Sequence, residues 1–370
     1  MGDAAWDAAR EVLCVRLDTI GDVLMSTPAL RALKRSAPGR RVTLLTSSAA
    51  EGAARLVPEV DDVIAYDPPW MKATPPRSDS GPEFAQAQEL RQRGFDAAVV
   101  FTVFSQNPLP SAMLCHLADI PLRLAHCREN PYQLLTHWVR ETEPEHGVRH
   151  EVRRQLDLVS AVGARTADER LSLRVPPEAA RRVGALLARC GIGPGERLAV
   201  LHPGATAPSR RWPAARFGAV ASRLAAEEGA AIAFSGTPEE APLVAAAVAA
   251  CEAPAADLTG RLGIEELAAL VAHADVLVTN NTGPAHLAAA AGTPVVDLYA
   301  LTNPQHAPWM VPSRVLNDAV PCACCYSSTC RSGHHRCLLG VSADRAAEAA
   351  AELLDAAAPS EDDTGGCARA

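Results

Sequence analysis

Apolar positions in this chain fall in short dense runs separated by longer segments of helical spacing. Residues 12–17 (Val-Leu-Cys-Val-Arg-Leu) form the first run. Asp18-Thr-Ile-Gly-Asp22 follows, and Leu24, Leu30 and Leu33 recur at helical intervals up to Pro38-Gly39. An apolar run too short for a helix reads as a strand buried on both faces, and the glycine turn leads it into a helix. Pro28 cannot donate a backbone hydrogen bond, so with Thr27 as a cap that helix is expected to kink or restart there. Residues 42–46, 63–66 and 97–101 repeat the strand pattern, the last after a polar helix over 84–93, and residues 67–82, rich in Pro and Ser, read as loop. Over residues 123–154 the pattern weakens: four histidines and several arginines stand among short apolar pieces, as on a solvated surface or a substrate-facing region.

A second series begins at residues 198–202 and continues with strands at 231–235, 275–279 and 295–299, alternating with helices near 214–228, 239–250, 264–272 and 285–291. Strands alternating with helices imply parallel sheets built from crossover units, hence an α/β fold. The Pro- and Gly-containing stretch over 176–195 is the expected domain boundary and hinge. This gives one domain over 11–180, another over 195–355, and a tail at 359–370 whose acidic, Gly-containing composition predicts disorder.

The length, 370 residues, suits two such domains, and with 48% hydrophobic and 21% charged residues each can bury a core. The net charge of −8 argues against nucleic acid as a partner, because phosphate binding needs a basic surface. Lys34 and Lys72 are the two lysines; arginine supplies the other cations, so a single Arg carries little weight. No apolar run approaches the roughly 20 residues that span a bilayer, and the first residues lack the basic and apolar regions of a leader. A cytoplasmic protein is expected, with at most peripheral contact at the inner face of the cytoplasmic membrane. Eleven cysteines is a high count for that compartment, and five lie between Cys322 and Cys337.

Three segments could carry chemistry. Asp18-Thr-Ile-Gly21-Asp22 ends the first strand, where open α/β sheets place ligands; Gly21 permits a close turn, and Asp22 either caps the helix or faces the cleft as a general base. His202-Pro-Gly-Ala-Thr206, followed by Ser209-Arg-Arg-Trp-Pro213, combines a glycine loop with hydroxyls and two arginines, which suits a phosphate-bearing ligand as well as a plain surface turn. Asn280-Asn-Thr-Gly-Pro-Ala-His286 lies between a strand and an Ala-rich helix, where the N–H groups of Thr282 and Gly283 would point the positive end of the helix at a diphosphate.

Together these segments resemble glycosyltransferase family 9, the bacterial heptosyltransferases. Val-Arg-Leu-Asp-Thr-Ile-Gly-Asp22 leading into Thr-Pro-Ala-Leu-Arg-Ala-Leu-Lys34, then His-Pro-Gly-Ala205 with Arg-Arg-Trp-Pro213, Asn-Thr-Gly-Pro-Ala-His286 and Gly-Thr-Pro-Val-Val296 occur in the family's order. The resemblance implies a GT-B architecture: two Rossmann-like domains facing across a cleft, the N-terminal one holding the acceptor and the C-terminal one the nucleotide-sugar donor. It also implies an inverting transfer that requires no metal or other cofactor, typically from ADP-L-glycero-D-manno-heptose to a glycan or lipid-linked glycan such as the lipopolysaccharide inner core. Asp22 matches the family's base. Arg16 and Gly21 fall on the acceptor or phosphate side. Thr206, Arg210, Asn281, Thr282, Gly283 and His286 match donor-binding positions, with Arg210 where members often have Lys and Asn281 where well-studied members carry Asp. Domain closure would bring Asp22 towards Arg210 and Thr282.

Cys322, Cys325, Cys330 and Cys337, with His334 and His335 between them, resemble a C-terminal motif of heptosyltransferase II-like members. They are candidates for a structural zinc site, against reduced thiols or a local disulfide. His137, His146 and His150 with their arginine neighbours could give the acceptor domain a basic lining, or form a solvated face. Other readings of the same fold are a transferase using another nucleotide sugar or a small acceptor, a nucleotide-sugar epimerase, and a non-catalytic nucleotide-binding module.

Overall fold

A computed structural model describes residues 4–72 and 74–357; the tail at 359–370 lies outside the described residues. The chain divides into two compact units. The first holds the described residues up to Pro176 together with Pro304–Met310; the second holds Pro177–Asn303 and the described residues from Val311 onward.

In the first unit, strands β1 (Glu11–Arg16), β2 (Arg41–Thr46), β3 (Asp62–Ala65), β4 (Ala97–Val100), β5 (Leu122–Cys127) and β6 (His137–Arg140) form one parallel sheet in the order β3-β2-β1-β4-β5-β6. The second unit repeats it with β7 (Leu198–His202), β8 (Ala231–Phe234), β9 (Ala255–Asp257), β10 (Val276–Asn280), β11 (Val295–Leu298) and β12 (Ser313–Leu316), ordered β9-β8-β7-β10-β11-β12. Each is the doubly wound arrangement. Strand order reverses between β1 and β4 and again between β7 and β10, and the crevice outside the carboxyl ends of such strands is where these sheets bind ligands.

The central strands read as continuous apolar runs because helices cover both faces. Val12, Leu13, Cys14 and Val15 of β1 are buried, as is every residue of β7 and β10. Burial holds the Cys14 thiol above its ordinary range despite the nearby Arg40 charge, so it packs as an inert apolar group. The edge strand β6 alternates between half-buried and exposed positions.

Two features differ from the sequence expectations, and the restart at Pro28 follows them. Asp22 does not cap its helix: the cap is Thr19, and Asp22 is the third residue of helix Ile20–Met25. That helix ends before Ser26, and a new one, Thr27–Ser36, starts with Pro28 in its first turn, the restart that the missing N–H of Pro28 dictates. The stretch over 176–195 contains helix Pro177–Arg189, whose Ala179, Val183, Leu186 and Leu187 are buried at spacings of four, three and one. One such apolar stripe fixes a helix where Pro and Gly alone suggest a linker, each buried Val or Leu contributing about 1.5–3 kcal/mol.

The pattern-poor stretch over 123–154 holds β5, β6 and the start of helix Glu151–Ser160. Arg123 sits buried within β5 and donates to the carbonyls of Leu134 at 2.8 Å and Gln133 at 2.8 Å, bracing the connection to β6. In the second unit, Gly218 allows helix Ala214–Glu228 to approach helix Ala241–Ala249: a Cβ there would stand 2.3 Å from the Ala247 carbonyl oxygen.

Candidate functional site

At the first switch point, β1 ends on Arg16, whose guanidinium is fully buried. It meets three carboxylates: Nε lies 3.2 Å from Asp18, Nη2 2.9 Å from Asp22 and Nη1 2.9 Å from Glu151, the first residue of helix Glu151–Ser160. Asp22 also accepts hydrogen bonds from the Thr19 N–H at 3.1 Å and the Thr19 hydroxyl at 2.7 Å. Gln106 donates to Asp18 at 2.5 Å, and Gln155 donates to Glu151 at 2.6 Å and to the Thr102 carbonyl at 3.1 Å. Arg154, beside Gln155, is itself buried and pairs with Glu143 at 2.7 Å and with Glu141.

Three carboxylates around one cation do not titrate alike. Burial opposes ionisation of Asp22, but the Arg16 guanidinium, the His306 imidazole and the Thr19 hydrogen bonds outweigh it and hold the Asp22 carboxyl well below the ordinary range. Asp18 and Glu151 are pushed up, by burial first, against the attraction of Arg16 and with the charge of Asp22 adding to the rise. Asp22 therefore keeps the negative charge. His306 belongs to Pro304–Met310, the segment by which the late chain rejoins the first unit.

Beside this network, at the carboxyl ends of β1 to β4, opens a cavity of about 770 Å³. The turn after β1 lines it with Asp18 and Thr19, the loop after β3 with Asp67, Trp70 and Lys72, and the loop after β4 with Ser105, Gln106 and Asn107. Arg16, Gly21 and Asp22 are not among its described lining residues; Arg16 holds Asp18, which lines it, and Asp22, which does not. His137, His146 and His150 do not line it either. His137 packs edge-on against Trp6 at 5.6 Å, His146 is exposed, and His150 caps the Glu151–Ser160 helix and stacks on Trp309 at 4.4 Å. A basic lining from these histidines is thus corrected: they serve strand edge, surface and helix cap.

At the second switch point, Asn280 at the end of β10 ties the elements together. Its amide donates to the carbonyls of Pro203 at 2.9 Å and Gly204 at 3.2 Å, and its oxygen accepts from the Trp212 N–H at 3.0 Å. One buried side chain thereby clamps the His202-Pro-Gly loop and the segment carrying Arg210 and Arg211 to the sheet. Arg210 stands half-buried on the turn Pro208–Arg210, its Nη2 3.2 Å from Asn303, while Thr206 is exposed on the loop. Arg211 turns back to donate to the Ala205 carbonyl at 2.7 Å.

Helix Gly283–Ala291 starts beside them with Thr282 at its cap and Pro284 in its first turn; Thr282 and Gly283 are partly accessible and His286 is buried. Asn281 donates to Asp297 on β11 at 2.8 Å. Asp297 is fully buried, and burial pushes its carboxyl up to about 7 against the Asn281 hydrogen bond and the positive charge of Arg210. The sequence pattern did not single out Asp297, Glu151 or His306, each of which acts on a predicted site residue from elsewhere in the chain, nor the clamping role of Asn280 within its motif.

The cysteine cluster does not assemble as a metal site: among the described residues no group of three or more His, Cys, Asp or Glu could hold an ion. Cys322, Cys325, Cys330 and Cys337 line one small pocket with His334 and His335, with Cys322 Sγ 3.6 Å from His334 Nε2. Of the alternatives to zinc, a local disulfide does not form: Cys322, Cys325, Cys330 and Cys337 are free thiols.

Two doubly wound units in tandem, each with a ligand-ready switch point, define a GT-B glycosyltransferase fold. Residues 84–335 match the model of glycosyltransferase family 9 (heptosyltransferase), more than half of the chain, and the protein belongs to that family. Lipopolysaccharide heptosyltransferase 3 of Escherichia coli is 25% identical over 291 residues, 76% of this chain and 81% of that one. Among solved structures, a family 9 glycosyl transferase from Veillonella parvula superposes with a TM-score of 0.80 at 22% identity over 95% of this chain and 99% of that one. The E. coli ADP-heptose LPS heptosyltransferase II superposes with a TM-score of 0.74 at 22% identity, covering 94% of this chain and 99% of the other. The chain is a glycosyltransferase of the heptosyltransferase family, and that membership separates it from the epimerase and non-catalytic readings.

Proposed function

We propose that this enzyme transfers a heptose, with inversion and without a catalytic metal, from ADP-L-glycero-D-manno-heptose to a hydroxyl of a glycan acceptor of the lipopolysaccharide-core type. The observation that carries this reading is the complementary chemistry of the two switch points. One presents an ionised carboxylate, Asp22, and the other a guanidinium with a helix N-terminus. Inverting displacement needs both: a base for the acceptor proton, and positive charge for the departing diphosphate.

Asp22 is the base, held in its charged form by Arg16 and Thr19, with Gly21 preceding it in the first turn of the helix. Arg210 and the N–H groups at Thr282 and Gly283 take the diphosphate. Thr206, Asn281 and His286 complete the donor side. The likeness to lipopolysaccharide heptosyltransferase 3 and to the ADP-heptose LPS heptosyltransferase II of E. coli supports the donor. Asn281, tied to Asp297, keeps a carboxylate behind the position where relatives are expected to carry Asp. No helix among the described residues is long and apolar enough to cross a membrane, and work on a lipid-linked acceptor at the inner face of the cytoplasmic membrane fits peripheral contact.

Mass spectrometry of core oligosaccharides incubated with ADP-heptose, GDP-mannose or UDP-glucose tests the donor. Transfer from ADP-heptose is expected, and exclusive use of a UDP-sugar would refute the assignment.

Asp297 adds a pH signature. A carboxyl whose folded pKa is raised contributes stability in its protonated form, lost as pH rises from about 4 through about 7. Above that window a new negative charge faces Arg210. ADP-ribose, whose diphosphate does not titrate there, should bind more weakly at pH 8 than at pH 6 by calorimetry, and Asp297→Asn should flatten the difference. An unchanged slope in the variant would remove Asp297 from the donor site.

A further inference from the structure

The cavity at the carboxyl ends of β1 to β4 is large enough to choose between acceptors. Its volume, about 770 Å³, is in the range of about 300–1,000 Å³ typical of small-molecule sites. Its charge is unexpected. Among the described lining residues Lys72 is the single cation, against the two carboxylates Asp18 and Asp67, and no arginine or histidine is present. With Asp18 ionised the lining is net negative; with Asp18 protonated it is neutral; in neither state is it positive.

Neighbouring cations are already committed. Arg16 is buried behind Asp18 among three carboxylates, and Arg77, farther along the loop after β3, pairs with Glu83 at 2.6 Å. Asp67 is fixed by the Ser48 N–H at 3.0 Å and Asp18 by Gln106, so neither carboxylate is free to swing out of the way of an anion.

The rest of the lining has two kinds of surface. Thr19, Ser105, Gln106 and Asn107 offer neutral donors and acceptors, while Trp70 and Phe101 offer aromatic surface. Trp70 is half-buried and stands edge-on to Tyr66 at 6.1 Å, which holds the indole in place. An uncharged pyranose or its seven-carbon analogue matches both: its hydroxyls bond to amides and hydroxyls, and its C–H faces pack on aromatic rings. A phosphomonoester, carrying about −1.5 to −2 at neutral pH, would lose hydration here and meet carboxylates instead of guanidinium forks.

We propose that this cavity takes a neutral polyhydroxylated sugar as the acceptor residue and rejects acceptor residues carrying a phosphomonoester or a carboxylate. The proposal rests on reading the first unit as the acceptor side, and names the class of acceptor there.

The test uses the full chain with three probes: methyl α-D-mannopyranoside, its 6-phosphate, and methyl β-D-glucuronide. Binding is followed by saturation-transfer NMR, with ADP binding by calorimetry as a check on the fold. The neutral glycoside is expected to bind at least ten-fold tighter than either acid at low salt, with the gap narrowing as salt screens the carboxylates. Trp70→Ala should weaken the neutral glycoside about ten-fold, by the loss of its aromatic packing surface. Asp67→Arg should raise affinity for the 6-phosphate relative to the neutral probe by at least ten-fold, because only the former carries charge. Tighter binding of the phosphate or the glucuronide by the unaltered protein overturns the proposal but leaves the acceptor reading standing. If no glycoside saturates while ADP still binds, the acceptor reading falls and this inference with it.

Discussion

Asp22→Asn is expected to lower kcat for heptosyl transfer by about 10²–10⁴ while ADP binding changes less than two-fold, the loss typical of removing a positioned general base. Asparagine keeps the shape and can still accept from Thr19, but it cannot take a proton. Single-turnover transfer and calorimetry with ADP separate the two effects, and full turnover by the variant would remove Asp22 from the role of base.

The electrostatics of Asp22 sharpen the expectation. A carboxyl held well below its ordinary range is a weak base at rest, which by itself argues against proton abstraction. Its surroundings answer the objection. The charge of Asp22 is one of the causes that raise Asp18 and Glu151, so a proton arriving on Asp22 relieves that repulsion and strengthens the hold of both carboxyls on Arg16. The cation stays neutralised throughout, and the cost of protonating Asp22 is shared across the network. In steady-state assays the acidic limb of kcat/KM should therefore fall below the ordinary carboxylate pKa of about 4. An acidic limb at pH 6 or above would point to another base.

How much of this could be read from the sequence depends on where each residue's partners lie. The strand–turn–helix units around Asp22 and Thr282 are local, built from a dense apolar run, a glycine and a capping residue, and they stand where the pattern puts them. β5 was hidden because Arg123 and His126 interrupt its apolar run. Both are buried and bonded to main-chain carbonyls, and burial lowers the His126 imidazole to about 4, so it behaves as a neutral packing group. No periodicity separates such a strand from a solvated histidine-rich surface.

The same limit applies to the sites. Asp297 sits 16 residues after Asn281 and meets it because β10 and β11 pair in parallel, and Glu151 meets Arg16 across 135 positions. Each reads locally as an ordinary strand or helix-start residue. That the described lining of the cavity holds one cation, Lys72, against two carboxylates was equally invisible, because it arises from which side chains the loops after β1, β3 and β4 turn inward.

Arg16→Met is expected to destabilise the protein by about 3–5 kcal/mol, the cost of leaving a buried charge network without its cation. Arg16 is wholly buried and Glu151 nearly so, so water cannot screen the carboxylates left behind. With the guanidinium gone, burial and mutual repulsion push all three carboxyls up. Raised carboxyls favour the folded state at low pH and lose that contribution as pH rises through their folded values. Urea denaturation should therefore show a deficit relative to the unaltered protein that is larger at pH 8 than at pH 5. Glu151→Gln should behave differently. Burial pushes its carboxyl up against the pull of Arg16, so an amide that still reaches Gln155 replaces a charge burial disfavours, and a change within about 1 kcal/mol is expected. A loss below about 1 kcal/mol for Arg16→Met, or a deficit that shrinks as pH rises, would mean the three carboxylates find their compensation elsewhere. Asp22 would then owe its charge to Thr19 and His306 rather than to the arginine at the end of β1.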